Sequence, residues 1–114
     1  GMALGEGCSV EGERVGPAVL GDNCSVAAGA TVGPGAALGD GVEVAAGAKI
    51  EASAVLDGCR IGAGAQIDDA ILSPGAEVGA GARISEQSVV GPRVKVAADA
   101  RVGAGAKLFA AGDE

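Results

Sequence analysis

The 114-residue chain contains no histidine, tyrosine or tryptophan and a single phenylalanine, Phe109. Without imidazole, Ser-His and Cys-His nucleophile systems are excluded and the commonest metal ligand is missing. One aromatic ring leaves too little bulk for an ordinary globular core and nothing on which bases could stack. Lys and Arg number 8 against 15 Asp and Glu, and the net charge of −7 repels phosphate backbones, so no nucleic-acid partner is expected. No apolar run approaches the roughly 18 residues of a membrane span, and no charged segment precedes a signal-like apolar one. The expectation is a soluble, cytoplasmic protein with no membrane contact.

What the chain does have is repetition. Its 22 Gly and 4 Pro would suit a disordered segment, but 48% hydrophobic composition argues for buried small aliphatics. A single aliphatic recurs as Leu4, Val10, Val15, Leu20, Val26, Val32, Leu38, Val44, Ile50, Leu56, Ile61, Ile67, Leu72, Val78, Ile84, Val90, Val96, Val102 and Leu108. Fourteen of the intervals are six residues and four are five. A helix with 3.6 residues per turn does not produce this spacing, whereas a solenoid with one short strand and one turn per repeat does. The residue two before each aliphatic should share its side of the strand. It is nearly always Ala, Cys, Val or Ser, as a narrow interior demands, with Glu13 the misfit.

Taking every third repeat collects Leu4, Leu20, Leu38, Leu56, Leu72, Val90 and Leu108, while the other two phases hold only Val and Ile. That segregation predicts three strands per coil and about six coils over residues 4–108, with 109–114 as a short tail. The predicted fold is all-β, a single-stranded parallel β-helix shaped as a three-sided prism. The predicted coil lengths run 16, 18, 18 and then 16, 18, 18 residues, which suggests a duplicated half.

The segments VGPGAALGDGVEV, IGAGAQI, VGAGARI and VGAGAKL resemble the hexapeptide-repeat left-handed β-helix, and the left hand is implied by that resemblance alone. The stretch ASAVLDGCRIGAGAQIDDAILSPGAEVGAGARI, with its paired Val55-Leu56 and Ile71-Leu72, is similar to the carboxy-terminal β-helix of sugar-phosphate nucleotidylyltransferases of the mannose-1-phosphate guanylyltransferase type. In that family the chemistry belongs to an amino-terminal α/β domain with a Gly-rich, Arg-containing phosphate loop, which has no counterpart here. The resemblance therefore implies no catalytic residue and no cofactor. It implies a non-catalytic assembly or docking module whose partner is another copy or a nucleotidylyltransferase catalytic domain. The alternatives are a scaffold of unrelated role and a degenerate hexapeptide acyltransferase that lacks its His base.

Residue by residue, the candidate sites reduce to surfaces. Cys8, Cys24 and Cys59 lack any CxxC spacing and fall at interior positions, which favours free core thiols over a metal site. The recurrent glycine pairs are corners, since no GxxxxGK[ST] follows them. Asp22, Asp40, Glu51 and the pair Asp68-Asp69 fall near corners, where acids are solvated. Residues immediately before the core aliphatics point outward. On the Leu side they include Val19, Ala37, Val55, Ile71 and Val89, an apolar stripe expected to be a protein interface. A second side alternates charge through Glu43, Arg60, Glu77 and Lys95. The third carries Arg14, Lys49, Arg83 and Arg101, a basic wall and the candidate face for an anion or acidic partner.

Overall fold

A computed structural model describes residues 2–108, with side chains from Gly5 onward. Phe109 and the predicted tail, and the side chains of Ala3 and Leu4, lie outside the described residues. All the regular structure is short parallel strand: nineteen strands of two or three residues, β1 at Met2–Leu4 through β19 at Lys107–Leu108. Every third strand pairs, giving one seven-stranded and two six-stranded sheets that form the walls of a prism 36 Å long and about 20 Å across. The Leu wall begins β1, β4 (Ala18–Leu20) and β7 (Ala36–Leu38). The ladder wall contains β8 (Glu43–Val44), β11 (Arg60–Ile61) and β14 (Glu77–Val78). The basic wall contains β9 (Lys49–Glu51), β12 (Gln66–Asp68) and β15 (Arg83–Ile84).

Alternation along each strand puts one aliphatic inside and its neighbour outside. Val26, Val44 and Ile61 stack inside the ladder wall, and Val32, Ile50, Ile67 and Ile84 inside the basic wall. The two-residue strands bend at turns whose third residue has a left-handed backbone, such as Gly41 (φ 68°) and Gly47 (φ 74°). At the corner entering the Leu wall the same conformation is held by Ala52, Asp69 and Gln87. Glycine is thus preferred at the corners without being required at every one.

Two expectations about register fail. Val55, expected outside, is fully buried between Leu38 and Leu72 in the wall, and Leu56, expected inside, is 40% exposed at the corner. The outward position belongs to Ala54, opposite Ala37 and Ile71. Ser53 becomes the second interior residue, its hydroxyl donating to Glu51 O (2.7 Å) and accepting from Ala70 N (3.0 Å). Leu38 to Val55 and Val55 to Leu72 are therefore seventeen-residue coils, and the apparent duplication of a half disappears.

The second failure lies in the first coil. Val15 is 39% exposed, and Arg14 rather than Val15 stands opposite the core residue Val32. The corner from Val10 to Glu13 is two residues shorter than the one from Val26 to Thr31, which shifts the strand's register. Arg14 remains exposed.

A candidate docking surface on the Leu wall

The outward column of the Leu wall runs through Val19, Ala37, Ala54, Ile71 and Val89 on consecutive coils and then reaches Lys107. Val19 is 51% and Ile71 47% exposed. Among the described residues, the exposed large hydrophobic ones are Val15, Val19, Leu56 and Ile71. All four stand on this wall or at its two borders, so the apolar surface is concentrated on one side of the prism. Ala37 and Ala54, with Gly35 and Ala52 beside them, form a shallow groove below Ile71 and Val89, with Asp69 and Gln87 on its border. Of the five stripe residues expected from the sequence, the structure brings together Val19, Ala37, Ile71 and Val89 and removes Val55 to the core.

The ladder wall neutralises itself. Glu43, Arg60, Glu77 and Lys95 are direct neighbours across the strands, and Arg60 Nε lies 3.6 Å from Glu43 Oε2. Both side chains are mostly exposed, so the pair contributes under about 1 kcal/mol.

The basic wall is less uniform than its sequence suggested. Lys49, Gln66, Arg83 and Arg101 do form one outward column, with Arg83 directly opposite Arg101. Arg14 is not in it, because Glu13 holds that register beside Thr31. A second outward column, two residues further along each strand, pairs Glu51 with Asp68. Cations and carboxylates thus stand side by side, which weakens a simple anion-binding reading. This acidic pair stands in the sequence two residues after Lys49 and Gln66, while Arg83 and Arg101 are followed there by Ser85 and Gly103.

The corner aspartates also do more than meet solvent. Asp22 Oδ1 accepts the N–H of Glu6 (2.9 Å), Asp40 Oδ1 that of Asp22 (2.8 Å) and Asp57 Oδ1 that of Asp40 (2.8 Å). Each carboxylate ties its coil to the preceding one. The thiols are structural in the same way: Cys8, Cys24 and Cys59 donate to the carbonyls of Gly21, Gly39 and Ser73 at 3.0–3.2 Å. Burial pushes the Cys24 and Cys59 thiols up. Among the described residues no three His, Cys, Asp or Glu side chains converge on a metal position, and every buried side-chain polar atom has a partner.

A prism of stacked hexapeptide coils with an apolar wall and no cluster of reactive groups among the described residues defines a β-helix module. The chain belongs to the GMPPB C-terminal domain family, whose model matches residues 14–108, and the coil is the left-handed β-helix. Comparison with curated proteins gives no match. Among solved structures it is similar to the acetyltransferase domain of PglB from Neisseria gonorrhoeae FA1090, at 24% identity and a TM-score of 0.77, over 92% of this chain and 51% of that one. The same domain in complex with acetyl coenzyme A gives 23% identity and a TM-score of 0.73, over 91% and 52% of the two chains. A hexapeptide transferase family protein from Anaplasma phagocytophilum gives 17% and 0.59, over 92% and 72%. These likenesses are of fold. The chain spans about half the length of the PglB domain it matches.

Proposed function

We propose that this chain is a non-catalytic assembly module of the kind carried by sugar-nucleotide pyrophosphorylases, and that its Leu wall docks against a second copy. The observation that carries the reading is the confinement of Val15, Val19, Leu56 and Ile71 to that wall and its borders. Family membership over residues 14–108 favours the pyrophosphorylase context.

The occupant follows from shape and size. Ala37, Ala54 and Ile71 lie on successive coils, so a two-fold axis crossing the wall at Ala54 sets Ile71 of each copy over Ala37 of the other. The same axis sets Val89 over Val19. A protruding side chain then meets a hollow floored by small residues such as Gly35 and Ala52 and bordered by Asp69 and Gln87, an isologous contact. One wall of a body 36 Å long and 20 Å across offers roughly 700 Å² per copy, close to the ~800 Å² of a standard interface.

The test is a fusion. Attached to a monomeric carrier, the chain should double the carrier's mass, and Val19→Lys with Ile71→Lys should restore the monomer without changing the β-rich circular dichroism. A carrier that stays monomeric with the wild-type module overturns self-assembly. A gain of activity when the chain is mixed with a separate mannose-1-phosphate guanylyltransferase catalytic domain would instead make that domain the occupant. Acetyl transfer, the activity named for the PglB neighbour, calls for a base, and this sequence has no histidine to serve as one. Turnover of acetyl coenzyme A by the chain would revive the acyltransferase reading.

A further inference from the structure

The interior column behind the ladder wall reads Cys8, Cys24, Val42, Cys59, Ala76 and Val94 from the first coil upward. Ser9 pairs with Ser25, so Cys8 and Cys24 are direct neighbours on adjacent coils, whereas Cys59 lies between Val42 and Ala76. All three thiols are free, and Cys8 is the half-buried one. Neighbouring strands lie about 4.7–4.9 Å apart, inside the ~4.4–6.8 Å Cα separation that a disulfide spans. Both side chains project to the same side of the wall, so their Cβ atoms lie about one strand spacing apart, slightly beyond the ~3.5–4.5 Å of a disulfide, and the half-buried Cys8 strand moves in to close the bond.

The first coil is also only partly packed. Val10 is only half-buried, Arg14 and Val15 are exposed, and the corner between Val10 and Glu13 is short. A covalent link there would tie this coil to the second, whose Leu20, Cys24 and Val26 are buried.

We propose that Cys8 and Cys24 form a redox modification site, which a small disulfide such as oxidised glutathione converts to an intrachain disulfide stapling the first coil to the second. The Cys8 thiolate attacks one sulfur of oxidised glutathione, forming a mixed disulfide and releasing one glutathione thiolate. The Cys24 thiolate then attacks the Cys8 sulfur and expels the second glutathione. Two electrons pass from the protein to the reagent, and the two thiol protons end on the glutathiones or in solvent. Cys24 is pushed up chiefly by burial, with neighbouring Cys8 adding to the rise, so the second step is slow near neutrality and speeds up as pH rises.

The experiment treats the folded chain with oxidised glutathione at mildly alkaline pH, quenches with acid, and follows intact mass, peptide map and melting temperature. The expected product is lighter by about 2 Da, the loss of two hydrogens in a thiol–disulfide conversion. It yields a peptide joining Cys8 to Cys24 and melts about 5 °C or more higher, a gain that dithiothreitol reverses. Cys59→Ser should behave identically, and Cys8→Ser and Cys24→Ser should show neither link nor gain. A persistent glutathione adduct, a link between two chains, a link through Cys59, no reaction, or a Cys8–Cys24 link without a melting shift would each overturn the proposal.

Discussion

Asp40 sits directly over Gly21: its Oδ1 accepts the Asp22 N–H at 2.8 Å, and a Cβ on Gly21 would collide with that same oxygen. The arrangement repeats with Asp22 over Gly5 and Asp57 over Gly39. The Leu-Gly-Asp pattern at this corner is therefore one device in two parts, a carboxylate on one coil and a missing side chain on the coil before it.

Gly21→Ala should destabilise the fold by about 1–3 kcal/mol, because the added methyl meets both the carboxylate and the backbone of the next coil. Gly103→Ala is the control, since a Cβ there meets nothing within 4 Å among the described residues. It should be neutral or slightly stabilising, and thermal melts of the two variants measure the difference.

The same device explains why Leu56 is outside. The coil after it presents Ser73 and Pro74 at this corner, with no aspartate, so a side chain is tolerated where Gly5, Gly21 and Gly39 are needed. Val55→Ala should cost about 2 kcal/mol by opening a cavity between Leu38 and Leu72, whereas Leu56→Ala should cost under about 1 kcal/mol. Chemical denaturation of both variants decides the register. A larger loss for Leu56→Ala would restore the alternative.

Much of this architecture was legible in the sequence because the period is dictated by the three-sided coil. The interior columns followed from spacing and small side chains, and the apolar wall from the residues before them. Register was lost where two aliphatics are adjacent, since Val55 and Leu56 suit the core equally well and only the coil above tells them apart. Asp57 carried the missing signal: aligned with Asp22 and Asp40, it puts Leu56 in the glycine position. In the first coil the repeated Gly-Pro misleads: aligning Gly16-Pro17 with Gly33-Pro34 pairs Val15 with Val32, whereas the structure pairs Arg14 with Val32. Glu51 and Asp68 were legible only as corner acids, because one outward residue per strand was read and their pairing beside the basic column went unseen.

The basic wall makes its own prediction. Arg83 and Arg101 face each other as like charges across neighbouring strands. Arg101→Glu should raise stability by a few tenths of a kcal/mol at low salt, and the gain should shrink as salt is added. Melting curves at two ionic strengths check it. A loss of stability would mean that Arg101 already has a favourable partner.

Light scattering of the chain over a tenfold concentration range tests the docking wall most directly. Self-assembly predicts about twice the 10.7 kDa chain mass for the wild type and the single-chain mass for Val19→Lys with Ile71→Lys. A wild type that stays monomeric throughout, or a double variant that keeps the wild-type mass while folded, would contradict it.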